Sequence, residues 1–417
     1  MAKQVLCVLG LIGALSLAGP AWAVSYDWAG AANGDWDAVG NWEDAGNNNP
    51  TSIAPPDDYT LDAGDHAGAS HGTSFGAQLS VAVGSTLEFK TNYNGTQVTA
   101  SDLRLAGGRV YRNKRGSTGF NTSSTVTAVT GTDTEFELGN QNYNQIIIDG
   151  LLQGNGAITK TGARVLSINN TSNTFSGLVE IDAGTVNVKT TALDDATVTV
   201  NGGALSGVSS QGSMTLTTLN LNGGKLAGGG ANWTLNTTSF VAQAPSTVEV
   251  TNSSRTLTLN DSIQGDALLT KTSVGVLQLS DDCSGFSGGW DVAAGRLRAA
   301  VASALGTGNV TVQPGAILEL DNDASISNEC GLFLEEDTGS YGRTQLDADP
   351  TVSYLSLDGV YQPAGVYDSS DFPTYLTGSG TLTVLNSGPP AETAPIAEPV
   401  GLALMGLGAL AAKRRRR

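Results

Sequence analysis

Side chains able to do chemistry are sparse in this sequence. Cleaving a polysaccharide needs paired carboxylates, or a carboxylate beside Lys or Arg, converging on one face. The candidate acids are Asp281, Asp282, Asp321 and Asp323. Asp281-Asp282 falls in a loop between an alternating stretch and a Phe-Ser-Gly turn. The segment from Asp321 begins like a calcium loop, but Ile326 stands where Gly is needed and Leu332 where Glu is needed. The only histidines, His66 and His71, are spaced poorly for two ligands on one helix face and have no third ligand pattern, so no metal and no cofactor is expected. No nucleophile elbow, zincin helix or phosphate-cradling loop is present. These acids read as solvated turn residues, and the chain as a non-enzyme. Trp28, Trp36 and Trp42 crowd together among Gly, Asn and Asp. They read first as an apolar cap and alternatively as a glycan-binding platform, because large rings suit either task.

The elements that must carry these groups follow from composition and repetition. The chain has 417 residues, 54 of them Gly, with 40% hydrophobic and 14% charged residues. That is ample for a packed core and roughly double the usual Gly content. Net charge is −18. Without the two ends, residues 24–390 hold 15 basic and 37 acidic residues, a net of −22 (15 − 37). Such a body repels nucleic acid, whose binding needs clustered Lys and Arg. The one internal basic cluster, Arg109 to Arg115, reads as a solvated loop, with contact to an anionic glycan as the alternative.

One stretch repeats. Residues 154–188 return at 265–299 with a constant offset: Thr159 matches Thr270 (270 − 159 = 111), Phe175 matches Phe286 and Gly184 matches Gly295. The shared skeleton is Thr-Lys-Thr, an alternating stretch, Phe-Ser-Gly, a second alternating stretch and Ala-Gly. With the strands that follow, the copies span 154–205 and 265–318. Alternation signals half-buried strands, and Gly and Asn mark the turns. Runs recurring every 20–30 residues point to stacked units. The predicted fold is all-β, a right-handed parallel β-helix or solenoid over 61–325, with a Trp-rich N-terminal cap at 24–60 and a C-terminal β cap at 326–386.

The ends read as targeting segments. Residues 1–23 have a charged start, a short apolar run containing Cys7, and an Ala-x-Ala cleavage site at Ala21 and Ala23. In an exported chain the remaining Cys283 and Cys330 are available to form one disulfide. Residues 387–399 are a Pro-rich linker. Residues 400–412 are apolar but short of the ~20 residues of a spanning helix. They precede Lys413 and Arg414 to Arg417.

Two resemblances follow. The ITKTGARVLSI…NTFSGLVEIDAGTVNV pattern resembles the autotransporter-associated β-strand repeat of bacterial surface proteins, departing from it at Ala163 and, in the second copy, at Ser273 and Asp282-Cys283. The tail resembles the PEP-CTERM sorting signal, with Ala397-Glu398-Pro399 as the box and Arg414, Arg415, Arg416 and Arg417 as the basic end. The resemblances imply a Gram-negative host, an exosortase-type enzyme as partner, transient membrane association through 400–412, and a place at the cell surface or in a matrix containing exopolysaccharide. The function expected is a non-catalytic structural protein, with a glycan-binding adhesin as the alternative.

Overall fold

The computed structural model describes residues 23–389, apart from 33, 56, 70–73, 91–95, 121–123, 143–144 and 208–211. The cleavage-site residue Ala21, His71, the Ala397-Glu398-Pro399 box and Arg414 to Arg417 lie outside the described residues. Ala23 is described and exposed.

Short β-rich runs separated by Gly and Asn leave no segment long enough for a helix, and one 3-10 turn at Val39–Asn41 is the only helical element among the described residues. The strands wind into a parallel β-solenoid of about 13 coils. A representative coil comprises Ala157–Thr161, Val165–Ile168 and Thr174–Phe175, one strand on each of three faces. Ile158 then pairs with Val179, 21 residues on (179 − 158). Successive coils therefore stack at the usual strand spacing, about 4.8 Å.

Alternation decides what each coil buries. Inward positions form columns such as Ile158, Val179, Val198, Leu219, Phe240 and Ile263, each hydrogen-bonded in register with the next and almost fully buried. The outward residue beside that column runs through Thr159, Glu180, Thr199, Asn220, Val241 and Gln264.

The two repeat copies do not sit on the same face. Five coils carry Thr159 to Gln264, 105 residues on (264 − 159). Thr270, the repeat partner of Thr159, instead stacks on Thr247, Lys225, Ala204, Thr185 and Val165. The second copy is thus rotated by one face, because an offset of 111 residues is five coils plus one strand. The motif specifies a strand–corner–strand unit that begins on two different faces in the two copies.

Antiparallel pairing among named strands occurs near the ends. Trp28 pairs with Trp42 at the first coil. Tyr354–Leu357 pairs with Val360–Tyr361, and Gly365–Tyr367 with Leu382–Val384, near the last. These returning strands cover edges that would otherwise offer free N–H and C=O groups to another chain. Parallel pairing itself extends beyond residue 325, through Arg343–Leu346 to Leu376–Gly378.

The repeat's opening glycine turns a corner that no side chain fits. Gly154 and Gly265 have φ of 90° and 105°, and a Cβ there would sit 2.1 Å from the Ala128 carbonyl oxygen and 2.3 Å from that of Ala242. Gly154→Ala and Gly265→Ala should each destabilise the fold by at least about 1 kcal/mol, the cost of a left-handed backbone before any clash. Urea unfolding followed by circular dichroism checks this; unchanged midpoints would contradict it.

Candidate functional site

The Thr-Lys-Thr element holds the most unusual group in the solenoid. Lys160 shares the phase of Ile158, so its side chain points inward, in register between Phe136 and Ile181. It is fully buried. Its Nζ donates to the carbonyl oxygens of Thr161 at 2.5 Å, Gly162 at 2.7 Å and Ala183 at 3.1 Å. Lys271 repeats the arrangement between Val248 and Val292, donating to Thr272 at 2.9 Å, Ser273 at 2.7 Å and Ala294 at 3.0 Å. Burial pushes both ammonium groups down to about 8. Three carbonyl acceptors hold the charged form against that burial, and Glu249 does so further for Lys271.

This ammonium knot accounts for several repeat positions together. Gly162 and Ser273 turn the corner at φ of 70° and 63°, presenting their carbonyls to the lysine. Gly184 and Gly295, both at φ 70°, turn the corner one coil above. A Cβ on Gly184 would lie 2.8 Å from Lys160 Nζ. Ser273 adopts the left-handed conformation without being glycine, and its hydroxyl donates to Glu249 at 3.1 Å. Asn173 ties three coils by accepting from Leu152 N–H at 2.8 Å and donating to the Ala192 carbonyl at 3.0 Å. In the second copy Cys283 Sγ takes the accepting role, from Ile263 N–H at 3.4 Å.

The aromatic cluster is a cap interior. Trp36 and Trp42 are fully buried and Trp28 is 9% exposed. Trp36 stacks on Phe75 at 5.1 Å, and Trp42 meets Trp28 and Tyr59 edge-on at 5.0 and 5.1 Å. Trp42 Nε1 donates to the Trp36 carbonyl at 2.8 Å. No ring face among the three is open for a sugar, which corrects the platform alternative: the rings pack on one another and on Tyr59 and Phe75. The basic cluster is also corrected. Arg109–Arg112 is a strand, not a loop. Arg109 pairs with Glu137 at 2.6 Å and lies over the Tyr111 ring. Arg112 is fully buried, donating to Thr118 Oγ1 at 2.6 Å and the Gly116 carbonyl at 3.0 Å, and burial pushes it down to about 10.

The four candidate acids divide between two places. Asp281 and Asp282 brace their own turn, accepting from Asp282 N–H at 2.8 Å and Ser284 N–H at 2.7 Å. Asp321 accepts from Arg298 Nε at 2.6 Å, and Asp323 from Asp349 N–H at 2.8 Å. The register Leu279–Ala299–Leu320 puts Asp281 and Asp321 two coils apart, about 9.6 Å along the axis. Asp321 instead meets Glu319 and Asp347, three carboxylates with oxygens within 4.8 Å of one another and of the size to hold a cation. Arg296 and Arg298, one coil below, already bind Glu319 and Asp321. Asp347 lies 26 residues beyond Asp321 (347 − 321), so only coil register could reveal this cluster. His66 pairs with Glu88 at 3.1 Å.

Cys283 and Cys330 are free and buried, and burial pushes both thiols up to about 11. The available disulfide is not formed. Cys283 N–H donates to Ser303 on the next coil, and Cys330 Sγ reaches back to Gly306 of that same coil at 3.8 Å. A whole coil therefore separates the thiols, about 9.6 Å of rise against the ~7 Å that a bridge tolerates.

The family model for the passenger-associated transport repeat matches residues 158–188 and 269–299, the two stretches built around Lys160 and Lys271. No curated protein matches the chain, and no solved structure does. The chain is thus similar, over these two stretches, to the repeat of autotransporter passenger proteins, and its solenoid accords with that class.

Lys160→Met should destabilise the fold by about 2–4 kcal/mol. Three carbonyls lose their donor at about 1–3 kcal/mol each, partly offset by removing a buried charge. Loss of amide protection around Ala183 in hydrogen exchange checks it, and wild-type protection would refute it. The pH dependence has a definite sign. Above about pH 8 the unfolded chain holds protons on these lysines that the folded chain has released. Their contribution to stability therefore rises with pH from about 8 to about 10. The double variant Lys160→Met/Lys271→Met should lose that slope.

Asp261 is pushed up to about 6, first by burial and then by the Asp281 charge, against the bond it accepts from Thr237 N–H. Its folded value lies above the unfolded ~4. Its ionised form therefore costs stability above pH 6, and that cost is relieved as pH falls from about 6 to 4. Asp261→Asn should remove this component; a wild-type pH–stability curve for the variant would contradict the assignment.

Proposed function

We propose that the chain is an exported, non-catalytic structural protein of the cell surface or extracellular matrix of a Gram-negative bacterium, sorted through its C-terminal tail by an exosortase-type enzyme. The observation that carries the structural reading is the repeat itself. In both copies the matched residues are spent on an internal knot, Lys160 or Lys271 with its three carbonyls, rather than on an outward constellation. The motif thus serves the building of a stiff coil. The acidic body, with residues 24–390 at −22 (15 − 37), supports solubility outside the cell and disfavours adhesion to anionic surfaces. The sorting reading rests on the Ala397-Glu398-Pro399 box, the apolar residues 400–412 and the Arg414 to Arg417 end. Enzymatic cleavage of polysaccharide is the weaker reading, since Glu319 and Asp321 are engaged by Arg296 and Arg298, while Asp281 and Asp282 brace their own turn.

Intact mass of the protein in separated membrane and extracellular fractions tests this reading. The expected extracellular species begins at Val24 and ends near Glu398-Pro399. A chain that keeps Arg414 to Arg417 in every fraction would overturn the sorting reading. New reducing ends or unsaturated sugars released from a polysaccharide panel would overturn the non-catalytic one.

A further inference from the structure

Trp28, Trp36 and Trp42 are buried, but a different set of rings faces outward near the C-terminal end. On the face carrying Trp290–Val292 and Val310–Val312, the outward column runs Thr270, Asp291, Thr311, Phe333 and Ser356, and Tyr361 pairs antiparallel with Ser356. In the adjacent outward column Tyr354 pairs with Gly331. Gly331 has no side chain, so the Tyr354 ring lies across it: a Cβ there would be 2.2 Å from the ring. Phe333 and Tyr354 meet at 5.7 Å, and Tyr354 and Tyr361 also at 5.7 Å, both edge-on. Phe333 and Tyr354 are half-buried and Tyr361 is 41% exposed. Three rings thus step diagonally over three successive strands.

Polar groups flank them. Asn309 Oδ1 accepts from Gly331 N–H at 2.8 Å and lies 3.5 Å from the Tyr354 hydroxyl. Thr311 stands beside Phe333 in the column, and Gln313 donates to Asp291 at 2.8 Å. Between Thr270 and Ser356 this column holds no Lys or Arg, and the nearest cation in it, Lys225, stands two coils below Thr270 and is paired with Glu249.

We propose that Phe333, Tyr354 and Tyr361 form a binding strip for an extended, neutral polysaccharide of equatorially linked hexoses. Rings presented with neighbouring amides and hydroxyls match the C–H faces and hydroxyl edges of such sugars. The strands advance about 4.8 Å at a time, close to the step of one hexose in an extended chain. The lack of cations in the strip, on a body of net −22 (15 − 37), selects a neutral glycan over an anionic one. Gly388, in the Pro-rich linker, lies against the Tyr361 ring, where a Cβ would sit 3.5 Å from Cγ, but the strip itself uses no residue of the sorting motif.

Native affinity electrophoresis of the full chain tests it, with hydroxyethylcellulose as the neutral probe and alginate as the anionic one. Retardation is expected in hydroxyethylcellulose and not in alginate. Tyr361→Ala and Tyr354→Ala should each weaken it about tenfold, some 1.4 kcal/mol, while Tyr361→Phe retains it. Should Tyr354→Ala fail to fold, the exposed Tyr361→Ala decides alone, with circular dichroism confirming its fold. Absence of retardation, equal retardation of Tyr361→Ala and wild type, or preference for alginate would overturn the proposal. So would a change in sedimentation of Tyr361→Ala without any change in retardation, which would make the strip a contact between copies.

Discussion

Backbone hydrogen bonds in this molecule run along the axis, from each coil to the coils above and below. A strand of four residues such as Val165–Ile168 makes no ladder bonds within its own coil; its partners are Gln145–Ile148 below and Thr185–Val188 above. Each residue is therefore constrained by the one about 21 positions away rather than by its sequence neighbours. Inward columns stay apolar because any polar group there meets another side chain about 4.8 Å off and no water. Outward columns become ladders of Thr, Asn, Asp and Gln. Asn222 donates to Asn201, which donates to Asp182, two such steps up one corner.

The buried lysines are the exception that this constraint explains. A tight corner leaves carbonyls pointing inward, where no strand supplies an N–H. An apolar side chain at residue 160 would fill the space and leave those acceptors bare. Lysine packs its stem among Phe136 and Ile181 and brings three donors on one atom. The desolvation of one charge is set against three otherwise unpaired carbonyls. The same solution on a different face at Lys271 shows that the corner, not the face, creates the demand.

Stacking also leaves the solenoid with two ends, and large rings and returning strands close them. At the N-terminal end Trp28, Trp36, Trp42, Tyr59 and Phe75 form one buried cluster. At the C-terminal end Tyr354 covers Gly331 from outside, and the Val360–Tyr361 strand folds back on its neighbour. Trp36 and Trp42 are fully buried at one end while Tyr361 is 41% exposed at the other, so the two ends present different surfaces.

The sequence by itself determined the class of fold and its unit. Alternation, Gly and Asn at turns, and a 111-residue self-match specified a parallel stack, because side-chain period and corner chemistry are local properties. The inward lysine was missed in the sequence, although its phase was there to read, with Lys160 alternating with Ile158 and Lys271 with Leu269, because a lysine in a strand is ordinarily solvated. Tertiary structure alone decided which residues meet across coils. It rotated the second repeat by one face, separated Cys283 from Cys330, buried the tryptophans and Arg112, and gathered Glu319, Asp321 and Asp347. Each outcome depends on the exact length of intervening coils, where one added residue moves every later side chain to another partner. That sum is a long-range quantity which composition and local pattern do not carry.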